Sequence, residues 1–245
     1  MRACAVRWPR GAAHHRLTTR RAAWAVIAAG GRGVRMGRKK PGIVLARRPV
    51  LSWTLEVLER TAGVAGIVVA VPAEDVRTWR RRLAGYRKVR AVVAGGKERQ
   101  ESVQRGLEAV PGDVAWIIVH DGVRPCITPD LIRRVLAAAR EHGAAIAALP
   151  VAETVKRGVD EWVKETVDRH GLWAVQTPQA FAASLLREAH RRAAAEGILG
   201  TDDAALVERL GAPVRLVPGV PQNVKITRPE DLALVRALIR SRAGR

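Results

Sequence analysis

A doubly wound α/β fold with a mostly parallel sheet is what the 245-residue sequence predicts, on three observations. From Ala23 onward, short β-branched apolar runs alternate with amphipathic stretches of helical period, the sequence form of repeated βαβ units. A hydrophobic content of 48% at this length suffices for one sizeable core. No internal repeat and no low-complexity linker interrupts the chain after Ala22, so one domain spanning residues 23–245 is the economical count, with no fused second enzyme expected after Arg245.

The expected strands are Trp24–Ala29, Gly66–Val71, Val89–Val93, Ala115–Val119, Ala144–Leu149, Leu172–Gln176 and Val214–Val217, each a short apolar run. Apolar residues at three- and four-residue spacing place helices between and after them, at Val50–Glu59, Ala73–Leu83, Glu98–Ala109, Thr128–Arg140, Ala183–Glu196, Asp202–Leu210 and Pro229–Arg240. The last begins in "TRPEDL", where Thr227 is placed to cap, Pro229 sits early and the acids favour the positive end of the helix dipole. One segment breaks the rhythm. Val151–Arg169, VAETVKRGVDEWVKETVDR, alternates apolar and polar residues around "RGVD" and reads as a β-hairpin arm. An arm with so little core needs something to lie against, and a second copy of the chain is the simplest candidate.

Residues 1–22 are basic, contain no acidic residue and show neither apolar period, so they are read as a disordered extension ahead of the fold or as the product of a start codon assigned too far upstream. His14 and His15 within them are adjacent and have no third ligand to complete a metal site. Cys4 and Cys126 lie far apart, which removes a disulfide framework and a cysteine-rich zinc site and fits a reducing cytoplasm. No apolar run approaches the roughly 20 residues that span a bilayer, and a soluble protein is expected. The net charge of +20 implies a polyanionic partner: nucleic acid, an acidic membrane surface or a small phosphorylated ligand. Abundant Arg and Ala beside scarce Lys, Ser and Phe would equally follow from coding bias.

Two constellations carry chemistry. In "WAVIAAGGRGVRM" a strand runs into a glycine-rich turn whose main-chain N–H groups can cradle phosphate, and Arg35, Arg38, Lys39 and Lys40 follow to neutralise charge. The spacing of Gly30, Gly31 and Gly33 is neither a dinucleotide fingerprint nor a Walker loop, and a tight surface turn with solvated cations is the competing reading. In "IIVHDGVRP" an apolar strand ends in His120, Asp121 and Arg124, at the strand edge where open α/β sheets collect ligands. Asp121 is expected to point out of the core, where it can hold Mg²⁺, and Arg124 can grip a second phosphorylated molecule. The competing reading is an Asp–Arg pair capping the next helix, and His120 is assigned no catalysis. Three weaker pieces are "GGKERQESV", "TVDRHGLWAVQTPQ" with Arg169 and Thr177, and "NVKITRPEDL" with Lys225, each of which alone suits a turn or a cap.

In this order and spacing, HDGVRP, TVDRHGLWAVQTPQ and NVKITRPEDL resemble the 2-C-methyl-D-erythritol 4-phosphate cytidylyltransferases of the non-mevalonate isoprenoid pathway, over nearly the whole chain from Ala23. The resemblance implies an α/β nucleotidyltransferase fold, a homodimer joined by the arm, and transfer of CMP from CTP with Mg²⁺. It places Arg35 and Lys40 at the transferring phosphate, with Lys39 as the other lysine that a shifted loop would bring there. It implies Ala29, Gly30, Gly31, Gly95, Gly96 and Ser102 around the nucleotide. For the second substrate it implies Asp121, Arg124, Thr154, Arg169 and Lys225, with Arg169 and Thr154 donated across the dimer. Gln222 stands where some members carry an acid near the metal, leaving Asp121 to hold the ion with less help. Two alternatives stand beside this expectation. A ribitol 5-phosphate cytidylyltransferase shares much of the glycine loop and the HDxxRP and TPQ elements. A nucleic-acid-binding module suits the charge, but with one Tyr and one Phe its stacking platform would depend on tryptophans that fall in apparent core segments.

Overall fold

The computed structural model describes residues 22–30 and 42–243. A seven-stranded mixed sheet forms the centre, in the order β11-β7-β10-β6-β1-β4-β5. Its strands are β1 (Ala23–Ala28), β4 (Val64–Val71), β5 (Val89–Ala94), β6 (Trp116–Asp121), β7 (Ala144–Pro150), β10 (Trp173–Ala182) and β11 (Arg215–Pro218). β1 pairs parallel with β4 and β6 on either side, which is why AWAVIA reads as a nearly continuous apolar run. β4 pairs parallel with β5, and β7 with β11. β10 runs antiparallel to its neighbours β6 and β7.

Seven helices surround the sheet among the described residues: α1 (Val50–Arg60), α2 (Val76–Arg82), α3 (Arg99–Glu108), α4 (Pro129–His142), α5 (Ala183–Ala195), α6 (Asp203–Arg209) and α7 (Asp231–Ala243). Successive strand side chains point to opposite faces, so β1 serves two cores at once. Ala25 and Ile27 pack with Leu51 and Leu55 of α1 and Leu131 and Val135 of α4. Val26 faces the other way, with Val103 of α3, Leu186 of α5 and Leu206 of α6. A third cluster of Leu45, Val50, Cys126, Ile226, Val235 and Ile239 seats α7.

Helix ends follow local chemistry. Thr128 caps α4 by accepting from the Leu131 N–H, Pro129 supplies the first turn, and Gly143 ends the helix with φ of 90°. The competing reading of Asp121 and Arg124 as a cap for this helix is therefore not met, since Thr128 takes that place. At α7 the anticipated direction is reversed: Asp231 accepts from the main chain of Thr227 and Arg228 and from the Thr227 hydroxyl.

The segment expected as an arm is a two-stranded antiparallel ribbon, β8 (Val155–Val159) and β9 (Trp162–Val167). Its turn sits at Asp160 and Glu161, both in the left-handed region, at the end of "RGVD", while Gly158 marks a shift of register. Three other boundaries move. The helix expected from Ala73 starts as a 3₁₀ turn and becomes α-helical at Val76. The strand expected to stop at Gln176 continues to Ala182, past an irregularity between Val175 and Gln179 that accommodates Pro178. A small hairpin of β2 (Val44–Leu45) and β3 (Arg48–Pro49) adds to the expected elements.

Candidate active site

The parallel strands end in register. Ala28 lies opposite both Ala70 and Asp121, and Val71 opposite Ala94, so the loops after β1, β4, β5 and β6 crowd one edge of the sheet. This is the carboxyl edge, where side chains reach beyond the core without leaving the rigid strands.

One wall of the edge is made of glycine. A Cβ on Gly95 would lie 2.8 Å from Ser102 Oγ and 3.0 Å from Gly30 Cα, and a Cβ on Gly30 would meet the same serine at 2.8 Å. The two loops approach closely only because neither carries a side chain. Ser102, buried on α3, accepts from the Gly96 N–H at 3.0 Å and is 3.2 Å from the Glu98 carbonyl, to which it donates. A cleft of about 430 Å³ opens beside them, lined by Gly30, Pro72, Glu74, Gly95, Gly96 and Lys97 among others. Ala29 stands differently. It is buried, and its N–H donates to Ala70, as that of Gly95 does to Val71. Gly30, Gly95, Gly96 and Ser102 thus come together as expected, while Gly31, Arg35, Lys39 and Lys40 lie outside the described residues, and with them the expected phosphate cradle.

The second wall is ionic. Asp121 ends β6 and is only 4% exposed, which corrects the expectation that it points out of the core. Its Oδ1 accepts from Arg99 Nε at 2.9 Å; its Oδ2 lies 2.9 Å from Lys225 Nζ and 3.4 Å from Arg124 Nε. Burial alone would raise the carboxyl pKa, but Arg99, Lys225 and Arg124 overcome it and hold the group far below the usual carboxylate range. The three cations differ in freedom: the side chain of Lys225 is 38% exposed, Arg99 26% and Arg124 11%. Arg124 also donates to the Asn223 carbonyl at 2.8 Å, so its guanidinium ties β6 to the segment before Lys225 and is not the free fork anticipated for a phosphate.

Behind Asp121 the main chain is fixed as firmly as the side chain. Its N–H donates to Thr177 Oγ1 at 3.1 Å, and that hydroxyl donates in turn to His120 Nδ1 at 2.9 Å. The opposite ring nitrogen faces the Arg124 carbonyl. Burial pushes the His120 pKa down to about 4, so the ring is neutral at physiological pH and serves as a tether. Asn223 closes the ring by donating to the Thr177 carbonyl at 2.7 Å. Thr177 and Asn223 fall within recognisable motifs, but their roles are not readable there, because their partners are 46 to 57 residues away.

Arg169 and Thr154 are exposed at the base of the arm, and Arg169 donates to the Ala152 carbonyl. Neither joins the Asp121 cluster within one chain. Gln222 is exposed. Sequence reading misses Arg99, Asp203 and His190. Arg99 donates from Nη1 to Asp203 at 2.7 Å, and Asp203 lies 2.9 Å from His190 Nε2. The available signals are the charges in "KERQ" and "TDDA", which on their own suit any helix start.

Comparison with known proteins spans the residues that build this site. The family model for 2-C-methyl-D-erythritol 4-phosphate cytidylyltransferase matches residues 23–241. A protein of that name from Geobacter metallireducens is 47% identical over 229 residues, covering 90% of this chain and 99% of its own. Among solved structures, the 2-C-methyl-D-erythritol 4-phosphate cytidylyltransferase of Thermus thermophilus is similar at a TM-score of 0.73 and 37% identity, covering 88% of this chain and 98% of that one. The 4-diphosphocytidyl-2C-methyl-D-erythritol synthase of Anaerococcus prevotii gives a TM-score of 0.80 at 30% identity, over 89% and 96% of the two chains. With a glycine-lined cleft and an ion-paired aspartate on one sheet edge, and likeness of this extent, the chain belongs to the 2-C-methyl-D-erythritol 4-phosphate cytidylyltransferase family.

Proposed function

We propose that the protein transfers CMP from CTP to 2-C-methyl-D-erythritol 4-phosphate, releasing pyrophosphate, as a step in isoprenoid precursor synthesis. The observation that carries this reading is the buried Asp121 with Lys225 beside it, at the edge shared with the glycine-lined cleft. Gly30, Gly95, Gly96 and Ser102 are assigned to the nucleotide, and Ala29 and Gly31 with them from the family resemblance. The acceptor phosphate is already ionised, so the chain needs no general base; it needs to bring two anions together and offset the charge that develops. Lys225, the most exposed of the three cations on Asp121, is the one free to turn to the acceptor phosphate, since Arg99 and Arg124 keep the carboxylate compensated. Arg35 and Lys40 are assigned to the transferring phosphate.

Mg²⁺ belongs to the same proposal. Among the described residues no group of three or more His, Cys, Asp or Glu is placed to hold an ion. Asp121 faces three cations, and of these Lys225 is the most exposed, so the carboxylate Oδ2 becomes available to a hard cation as Lys225 turns to the acceptor phosphate, the ion drawing most of its ligands from substrate phosphates and water. Asp121 would hold it, and the ion would supply charge neutralisation at the phosphates.

A homodimer through the arm completes the reading, with Arg169 and Thr154 reaching the partner's acceptor side. It is supported by apolar side chains that stand in the open on the ribbon, Val159 at 54%, Trp162 at 81% and Val163 at 65% exposed. The arm otherwise has a single two-stranded ladder, too little to be stable alone. No described helix is long and apolar enough to cross a membrane. Two cysteines far apart in the sequence, Cys4 and Cys126, suit the reducing cytoplasm where we place the enzyme.

The test is pyrophosphate release from CTP by purified protein with each polyol phosphate. Faster turnover of ribitol 5-phosphate would overturn the choice of acceptor.

A further inference from the structure

Arg99 stands at the start of α3, three residues before Ser102, and among the described residues it is the side chain that touches both Asp121 and Asp203. Its fork is divided: Nε donates to Asp121 Oδ1 at 2.9 Å and Nη1 to Asp203 Oδ2 at 2.7 Å. Asp203 is 1% exposed and is held from behind by His190, itself 2% exposed, whose Nε2 donates to Oδ1 at 2.9 Å. Asp202 next to it caps α6 and accepts from Gln179 Nε2 at 2.7 Å, so the carboxylate of Asp203 projects from a turn anchored to β10. An unbroken chain of polar contacts therefore runs from His190 on α5, through α6 and α3, to Asp121 on β6, and ends at Lys225.

We infer that Arg99, fixed by Asp203 and His190, is a positioning residue that fixes the Asp121 carboxylate for the acceptor phosphate. The inference rests on the transfer reading above and extends it to three residues on other elements. By occupying Oδ1, Arg99 leaves Oδ2 to Lys225 and keeps Asp121 charge-balanced when Lys225 turns to substrate. A lysine at position 99 carries the same charge but reaches only one carboxylate at a time, because the work is done by a planar fork with two donors in fixed directions. Ser102 and the glycine wall make none of these contacts, so nucleotide affinity is separable from them.

Asp203→Asn, Arg99→Lys and Arg99→Met are the variants that test this, each read for kcat, for the KM of both substrates and for CTP affinity by calorimetry. Wild-type turnover in the same assay separates a failure of this inference from a failure of the transfer reading. The expected result is a loss of about 10²-fold in kcat/KM for the polyol phosphate, the scale of a misplacement of about 1 Å. CTP affinity is expected to stay within about twofold of wild type, and Arg99→Lys to be as impaired as Arg99→Met. If Asp203→Asn does not fold, the two Arg99 variants carry the comparison. Arg99→Lys at the wild-type rate would overturn the inference, since charge alone would then suffice. Equal losses in CTP affinity and acceptor turnover would overturn it too, since they mark a general loosening of the fold.

Discussion

Replacing Asp121 by asparagine keeps the shape of the side chain and removes one negative charge from a site that holds three cations. Lys225, at 38% exposed, can move its charge into solvent, so its share of the cost is small. Arg99 and Arg124 are more enclosed and are left facing each other with Asp203 as the remaining nearby carboxylate. Breaking a buried pair by removing one partner costs about 3–5 kcal/mol, and the asparagine oxygen can still accept from Arg99 Nε, which favours the lower end, about 3 kcal/mol. For a chain of this size that lowers Tm by roughly 6–12 °C. The sign of the pH dependence follows from the direction of the shift. Asp121 is depressed from 3.8, so its stabilisation is complete above that value and is lost as pH falls through the lower folded-state value. The difference between wild type and variant should therefore be constant at neutral pH and shrink below about pH 4. Thermal melts at about pH 7 and about pH 3.5, on either side of that threshold, with urea titrations at the same two values, measure it. A Tm within about 2 °C of wild type at neutral pH would show that the cations disperse into solvent and would refute the argument for a tight buried cluster.

Other expectations test other parts of the site. Gly95→Ala places a Cβ against main chain and a buried hydroxyl, so it should cost about 1–3 kcal/mol and raise the KM for CTP, while Gly85→Ala, with nothing within 4 Å, serves as the neutral control. His120 is lowered from 6.5 to about 4, so folding excludes a proton that the unfolded chain binds; stability should fall by about 3 kcal/mol as pH drops from 6.5 to 4. His120→Asn should remove that part of the slope in denaturant titrations, and an unchanged slope would assign it to other groups. Chains carrying Arg35→Ala and Arg169→Ala should each be inactive alone, yet regain activity approaching about a quarter of wild type when mixed, because half of the mixed population has one sound site. Confirmed subunit exchange with no regained activity would place Arg169 in its own subunit's site or in the fold alone.

Much of the architecture is legible in the sequence because its cause is local. A buried parallel strand must be apolar on both faces, so Ala23–Ala28 and Val64–Val71 declare themselves, and amphipathic periods of three and four mark α1, α4 and α5. The arm is readable from its alternation and its turn to within a residue or two of "RGVD", but not which residues bend: Asp160 and Glu161 take left-handed conformations that Gly158 would adopt more easily. β10 outruns its expected end because proline argues against a strand, and only the register shift against β7 shows how Pro178 is tolerated. The glycine wall and the motif around Asp121 are visible as residue types. Their state is not. Whether a carboxylate at a strand end faces solvent or three cations depends on groups drawn from positions 99, 124 and 225, and a guanidinium meets Asp203 across 104 residues of chain. Sequence determines which charges exist and on which elements they ride. Only the packing of those elements decides which charges meet, since an ion pair is a property of distance and burial in space.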